Sequence, residues 1–330
     1  MNDHTKLWSI VLAGGEGARL RPLMTEAYGV DVPKQYCAFN GDEPLVRMAL
    51  RRALRLTDRE RVVTVVSSKH RRWWESQLAD LPSDNIVVQP CNRGTACGIL
   101  LPLIHILLQE PQAIVAVLPS DHFVEDEAVL TRTLRKAIRV AGHAADSIVL
   151  LGIRPDGPDC EYGWIEPTLK TLDGLHWVLS FVEKPVPAVA EQLRDRGGLW
   201  NSFVLVARGL TFLSAFTRAF PELVDRFGAA LVSGNADGAE DRLERLYSKL
   251  PSLDLSRDLL QSNHEQLRVL PVPPCGWTDL GTPERIARCL ERVATEPSPE
   301  CVAIGGSSLP PDLATAVSRN AHWSSTPRSY

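Results

Sequence analysis

Residues 8–23 read Trp8-Ser9-Ile10-Val11-Leu12-Ala13-Gly14-Gly15-Glu16-Gly17-Ala18-Arg19-Leu20-Arg21-Pro22-Leu23. A short apolar run stops at three closely spaced glycines and gives way to a stretch of helical character, which is how the first βα unit of a parallel sheet begins. Glycines after a strand let backbone N–H groups approach an anion, and Arg19 adds a planar donor fork suited to phosphate oxygens. The spacing is Gly-Gly-x-Gly with no Gly-Lys-Ser/Thr behind it, so the turn is neither a P-loop nor the G-x-G-x-x-G of dinucleotide-binding folds. Taken alone it reads equally well as a tight strand-to-helix turn with a surface arginine.

Working outward, short β-branched runs at 8–13, 61–67, 85–89, 113–118 and 147–152 alternate with helical stretches. Leu45, Met48, Ala49 and Leu56 mark one apolar helical face, and Leu130, Leu134, Ile138 and Ala141 another. Glu125, Asp126 and Glu127 open that second helix and Arg135, Lys136 and Arg139 follow, as the helix dipole favours. The N-terminal half is therefore expected to be a three-layer α/β sandwich. After Arg154, strand-like pieces at 162–166, 176–182 and 202–206 predict a mixed, partly antiparallel extension. Helices are expected within 210–250, and a last one opens at Thr282 with Pro283 in its first turn and Ile286, Leu290 and Val293 on one face. Residues beyond about 295 are rich in Ser and Pro without periodicity and are expected to be mobile.

The chain has 330 residues, 44% hydrophobic and 23% charged, which is ordinary globular usage. With 36 Lys+Arg against 40 Asp+Glu there is no global positive field to hold a nucleic acid. The longest apolar run, 98–108, contains Pro102 and His105 and is too short to cross a bilayer. The N-terminal stretch lacks the basic start of a signal peptide, and seven scattered cysteines show no zinc spacing. A cytoplasmic protein with reduced thiols is the expectation.

Seven further elements follow the glycine turn in order. They are Pro33-Lys34-Gln35, Gln89-Pro90-Cys91-Asn92-Arg93-Gly94-Thr95-Ala96, Leu118-Pro119-Ser120-Asp121-His122, Glu161-Tyr162-Gly163-Trp164-Ile165, Phe181-Val182-Glu183-Lys184-Pro185, Leu199-Trp200-Asn201-Ser202 and Gly276-Trp277-Thr278-Asp279-Leu280-Gly281. Together they resemble the sugar-1-phosphate nucleotidyltransferases over about residues 10–290. The Pro-Lys-Gln, Asn-Arg-Gly-Thr-Ala, Pro-Ser-Asp-His and Leu-Trp-Asn-Ser elements are most similar to mannose-1-phosphate guanylyltransferases. The resemblance implies a Rossmann-like nucleotidyltransferase sandwich with a mixed, mostly parallel central sheet and a smaller sugar-binding extension. Its domain would cover 1–294, with a nucleotide-binding half to about 153, a sugar-phosphate half over 154–294 and a tail over 295–330.

Carried over residue by residue, the resemblance implies that Gly14, Gly15, Gly17 and Arg19 hold a nucleoside triphosphate, with Lys34 near its α-phosphate. Gln89 and Gly94 would meet the base, and Arg93 and Asn92 read as loop-shaping. Tyr162, Gly163, Glu183, Lys184 and Asn201 would take the sugar phosphate, while Trp200 and Trp277 read as packing residues. Arg19, Lys34, Asp121 and Lys184 would be catalytic, with Asp121 and Asp279 as ligands of Mg²⁺. Asp121 follows an apolar strand, where carboxylates project into the ligand crevice of open α/β sheets. Mg²⁺ commonly takes one or two protein carboxylates beside phosphates. The competing structural roles are helix N-caps, for Asp121 before the helix near Glu125 and for Asp279 before the one at Thr282.

Two departures fall in the second half: Asn201-Ser202-Phe203-Val204 lacks the glycine that often follows Asn-Ser, and Leu253-Asp254-Leu255-Ser256-Arg257 replaces a more usual Asp-Tyr sequence. They bear on the sugar rather than on the reaction. The reading is nucleotidyl transfer, with GTP and mannose 1-phosphate first. UTP or dTTP with glucose 1-phosphate, or a non-catalytic sugar-nucleotide sensor, are the alternatives. No membrane or nucleic-acid partner is expected, and a homo-oligomer stays open.

Overall fold

The computed structural model describes residues 6–39, 43–143, 146–172, 174–232 and 238–295. The tail expected to be mobile lies outside the described residues but for its first position, Thr295, which closes the last helix. Among them run nine strands: β1 (Leu7–Ala13), β2 (Val62–Ser67), β3 (Ile86–Gln89), β4 (Ile114–Pro119), β5 (Ile148–Ile153), β6 (Gly163–Leu172), β7 (Leu175–Glu183), β8 (Leu199–Arg208) and β9 (Leu267–Val272). They form one sheet in the order β3-β2-β1-β4-β8-β5-β9-β7-β6, with a further β6–β8 pairing. Strands β3, β2, β1 and β4 are mutually parallel, as are β5 and β9, while β8 runs against both sets and β7 against β9.

Both faces of the first four strands are covered, which is why they read as continuous apolar runs rather than alternating ones. Side chains nevertheless sort by parity. Leu7, Val11 and Ala13 of β1 join Leu45, Met48, Leu130 and Leu134 in one core. Trp8 and Ile10 join Ile99, Leu103, Phe212 and Phe216 in the other. Helix Gly94–Gln109 is buried almost throughout despite Pro102 in its interior, because it lies between the sheet and the helices Gly209–Ala219 and Pro221–Val232.

The expected strands of the first half match β1 to β5, and β6 and β8 are longer than the sequence suggested. Strand β9 was not anticipated; Pro271 interrupts its pattern, and the strand stands between β5 and β7, a second tie to the main sheet beside β8, which pairs with β4, β5 and β6. Glu127 also differs from expectation. Instead of serving only the helix dipole, it lies buried at the start of helix Glu127–His143 and takes a forked ion pair from Arg52 of helix Leu45–Leu54, at 2.6 and 3.0 Å.

The connection after β1 leads to β2 on one side, and the one after β3 returns to β4 on the other. A crevice opens where these loops part, at the C-terminal ends of β1 and β4, the place where open α/β sheets bind ligands.

Candidate active site

The glycine turn after β1 forms one lip of that crevice. Gly17 has φ +59, a left-handed conformation that glycine adopts without strain, and a Cβ there would stand 3.3 Å from the Lys34 backbone nitrogen. Gly15 has nothing within 4 Å of where a Cβ would stand, so its backbone faces open cleft. Gln35 and Tyr36 brace the turn from below: the Gln35 amide donates to the carbonyls of Ala13 and Gly15, and the Tyr36 hydroxyl to Ala13. Arg19 leans across the mouth to Glu161, Nη1 to Oε2 at 2.6 Å, with both side chains about half exposed. Such a surface pair contributes little to stability and can yield its guanidinium to a phosphate.

At the floor, Lys34 is nearly enclosed. Its ammonium is 2.8 Å from Asp121 Oδ2 and donates to the Asp279 backbone carbonyl at 2.6 Å. Phe123 and Thr278 exchange backbone hydrogen bonds at 2.9 and 3.0 Å in a single antiparallel bridge, which fixes the two acid-bearing loops side by side. Asp121 and Asp279, 158 residues apart (279 minus 121), thus line one cleft. The capping roles that competed for them are filled by others: Asp126 caps helix Glu127–His143 through Val129 N–H, and Thr282 caps helix Pro283–Thr295 through Arg285 N–H.

Burial opposes ionisation of Asp121, but the Lys34 ammonium overcomes it and holds the carboxyl below the ordinary carboxylate range. Burial likewise opposes ionisation of Asp279, and Arg285 overcomes it. Arg285 was not anticipated. Its Nη1 reaches both Asp279 oxygens at 2.9 and 3.0 Å, its Nη2 reaches Asp159 at 2.5 Å, and its guanidinium lies 4.1 Å from the centre of the Tyr162 ring. No periodicity in the sequence links 159, 162, 279 and 285; only the fold does.

These carboxylates fit Mg²⁺ unequally. Asp121 lines the cleft with 40% of its side chain exposed; its Oδ2 pairs with Lys34 and its Oδ1 lies 3.6 Å from His122 Nε2. Asp279 Oδ1 already accepts from the Tyr162 hydroxyl, the Gly281 N–H and Arg285, leaving Oδ2 as its freer oxygen. One open carboxylate plus phosphate oxygens is a donor set that suits Mg²⁺. His122 stacks edge-on against Trp277, and burial keeps its imidazole less basic than an ordinary histidine.

A second cavity adjoins this cleft through Leu12, Gly15, Thr95 and Asp254, which line both. Gly14, Gln89 and Gly94 line that second cavity. Gln89 is buried rather than an exposed strand end; it accepts from Tyr247 at 3.2 Å, and its amide nitrogen leaves Gly14 no room for a side chain. Asn92 accepts the Gly94 N–H and Arg93 donates to the Tyr247 carbonyl, so both shape the loop as expected. Gly94 has φ +84, and a Cβ there would overlap the Leu253 carbonyl, whose oxygen also caps Ala96 N–H. Gly94→Ala is expected to cost at least about 2 kcal/mol from left-handed strain and overlap together, read as a lower urea midpoint.

On the other wall, Tyr162, Gly163, Glu183 and Asn201 line the cleft. Tyr162 stacks between Trp200 and Trp277 at 4.5 and 5.5 Å, and both indoles are buried packing residues. Burial, reinforced by the nearby Asp254, pushes the Glu183 carboxyl up to about 7. Lys184 departs from expectation. Its backbone is left-handed, φ +47, its side chain is exposed at the cleft edge, and it is not among the lining residues.

A family model described as nucleotidyl transferase matches residues 8–296. The chain is similar to the alginate biosynthesis protein AlgA of Pseudomonas syringae pv. tomato, 29% identical over 280 residues that cover 82% of this chain and 56% of that protein. It is similar to mannose-1-phosphate guanylyltransferase 2 of Escherichia coli O157:H7, 29% identical over 287 residues covering 83% and 58%. The chain thus spans less than two thirds of the length of these relatives. Among solved structures, a mannose-1-phosphate geranyltransferase from Thermus thermophilus matches with a TM-score of 0.73 at 26% identity, covering 86% of this chain and 79% of that one. A UDP-glucose pyrophosphorylase shares the fold, with a TM-score of 0.55 at 14% identity over 88% and 99%.

Proposed function

Because the chain belongs to the nucleotidyl transferase family, we propose that it transfers a nucleotidyl group from a nucleoside triphosphate to a hexose 1-phosphate, with GTP and mannose 1-phosphate as the pair. The observation that carries this reading is Lys34, whose ammonium touches both the Asp121 carboxylate and the Asp279 carbonyl beneath the glycine turn. A triphosphate seated on that turn would meet cations and carboxylates drawn from both ends of the chain. The choice of base and sugar is supported by the printed name of the Escherichia coli relative.

In the proposed reaction a phosphate oxygen of the hexose 1-phosphate attacks the α-phosphorus in line. The new O–P bond forms as the bond to the β-phosphate bridging oxygen breaks, and pyrophosphate leaves. No general base is required, since a sugar phosphate is already ionised near neutral pH. The protein's task is to hold two mutually repelling anions and offset their charge. Backbone N–H groups of the glycine turn and Arg19 would take the triphosphate, and Lys34 the α-phosphate side. Asn201 and Glu183 would accept from sugar hydroxyls, and Lys184 would reach the sugar phosphate from the cleft edge. Mg²⁺ held by Asp121, with Asp279 Oδ2 beside it, would supply charge neutralisation at the phosphates.

Pyrophosphate release across four nucleoside triphosphates and several hexose 1-phosphates tests the proposal. The expected maximum is GTP with mannose 1-phosphate in the presence of Mg²⁺; no release with any pair would refute it.

Glu183 gives this reading a pH signature. Its carboxyl titrates near 7 in the folded protein rather than at the ordinary 4.5, so the fold favours its neutral form. Through this group, stability falls as pH rises from about 4.5 to about 7 and is level above that. The ionised form accepts from a hydroxyl more strongly than the neutral one, and only about a tenth of it is present one unit below the pKa. The KM for sugar phosphate is therefore expected to fall about tenfold between pH 6 and 8. Glu183→Gln should have a high KM without that component, measured on the same substrate so that the substrate's own ionisation cancels.

A further inference from the structure

Phe203 lines the cleft, yet its backbone sits at φ +58. For a bulky aromatic residue this is a true outlier, a conformation that strains the backbone. The surrounding bonds over-determine it. Asn201 Oδ1 accepts the Phe203 N–H at 3.1 Å, Ser202 Oγ accepts the Val204 N–H at 3.2 Å, and the Ser202 hydroxyl donates to the Leu151 carbonyl at 2.7 Å. The same stretch interrupts the β5–β8 ladder: Leu150 pairs with Leu205 and Gly152 with Asn201, so three residues of β8 stand opposite Leu151 alone. Such a bulge re-aims a side chain, and bulges gather beside active sites. Strain persists where neighbouring structure enforces it, and functional sites are where such strain clusters.

With its side chain half-buried against the core that holds Leu199 and Leu205, Phe203 stands on the wall that carries Glu183 and Asn201. Those two offer polar atoms to hydroxyls; Phe203 is the large apolar side chain beside them, and a hexose ring presents C–H groups as well as hydroxyls. We infer that Phe203 is a specificity-determining residue of the acceptor site, packing against the sugar ring of the hexose 1-phosphate and discriminating among epimers by shape. The inference rests on the proposed nucleotidyl transfer and adds a sugar-contacting role for a residue that sequence reading noted only as a missing glycine.

Phe203→Gly tests it, because glycine accepts φ +58 and removes only the ring. With the best nucleoside triphosphate, kcat/KM is measured for mannose, glucose and galactose 1-phosphates in wild type and variant. The expected result is a variant whose best-to-worst ratio narrows about tenfold through the sugar phosphate KM. The triphosphate KM should stay within twofold, and relief of the left-handed strain should offset part of the packing lost with the ring. Phe203→Asn, which also tolerates the left-handed region, should narrow the ratio likewise and serves if the glycine variant fails to fold. An unchanged ratio, an effect confined to the triphosphate KM, or a wild type that does not discriminate would each overturn the inference while leaving the reaction intact. A wild type inactive with every pair would instead sink the reaction itself.

Discussion

Asp121→Asn is expected to lower turnover by about 10²-fold or more, the scale of losing one preorganised charge stabiliser. The substitution keeps the shape of the side chain and removes only its charge. That charge sits just beyond β4, where Lys34 holds it ionised and where the side chain lines the crevice. Two measurements separate a lost ligand from a damaged fold. Pyrophosphate release should collapse across the whole Mg²⁺ range, and Mn²⁺ affinity in the presence of triphosphate, read by electron paramagnetic resonance, should weaken in parallel. Wild-type turnover in the variant would remove Asp121 from the mechanism.

The largest effect on stability should come from a pair that does not line the cleft. Arg52→Met leaves Glu127 as a carboxylate with 7% of its side chain exposed and without its forked partner. Breaking a buried pair from one side costs roughly 3–5 kcal/mol, because the remaining charge loses its compensation. The expected reading is a urea midpoint lowered accordingly, with the double variant Arg52→Met, Glu127→Met recovering much of the loss. Kinetic constants at low temperature should be nearly unchanged, since neither residue lines the cleft. A single variant as stable as wild type would show that the pair contributes nothing.

Much of the fold was legible in the chain because its first half obeys local rules. Val62–Ser67 and Ile114–Pro119 are too apolar to be anything but doubly covered strands, and the glycines between Ala13 and Ala18 permit only a turn. Leu267–Val272 escaped because its partner β5 lies over a hundred residues away and Pro271 masks the strand pattern. In the cleft, residues tied to a motif were readable singly, as Lys34 and Asp121 were. Their partners were not: Arg285 and Asp159 meet only after the sheet closes. The left-handed backbone of Phe203 had one signal, the glycine that often stands at that position, while the aromatic residue itself argues against that conformation.

The bridge between Phe123 and Thr278 sets the timing of competence as well as its geometry. Synthesis proceeds from the N-terminus and domains tend to fold as they emerge. A nascent chain that has exposed the glycine turn, Lys34 and Asp121 still lacks the segment that completes the pair. Until the stretch around Trp277 leaves the ribosome and docks, the crevice has one acid loop and lacks the other, so its working form waits on the last part of the chain to be made.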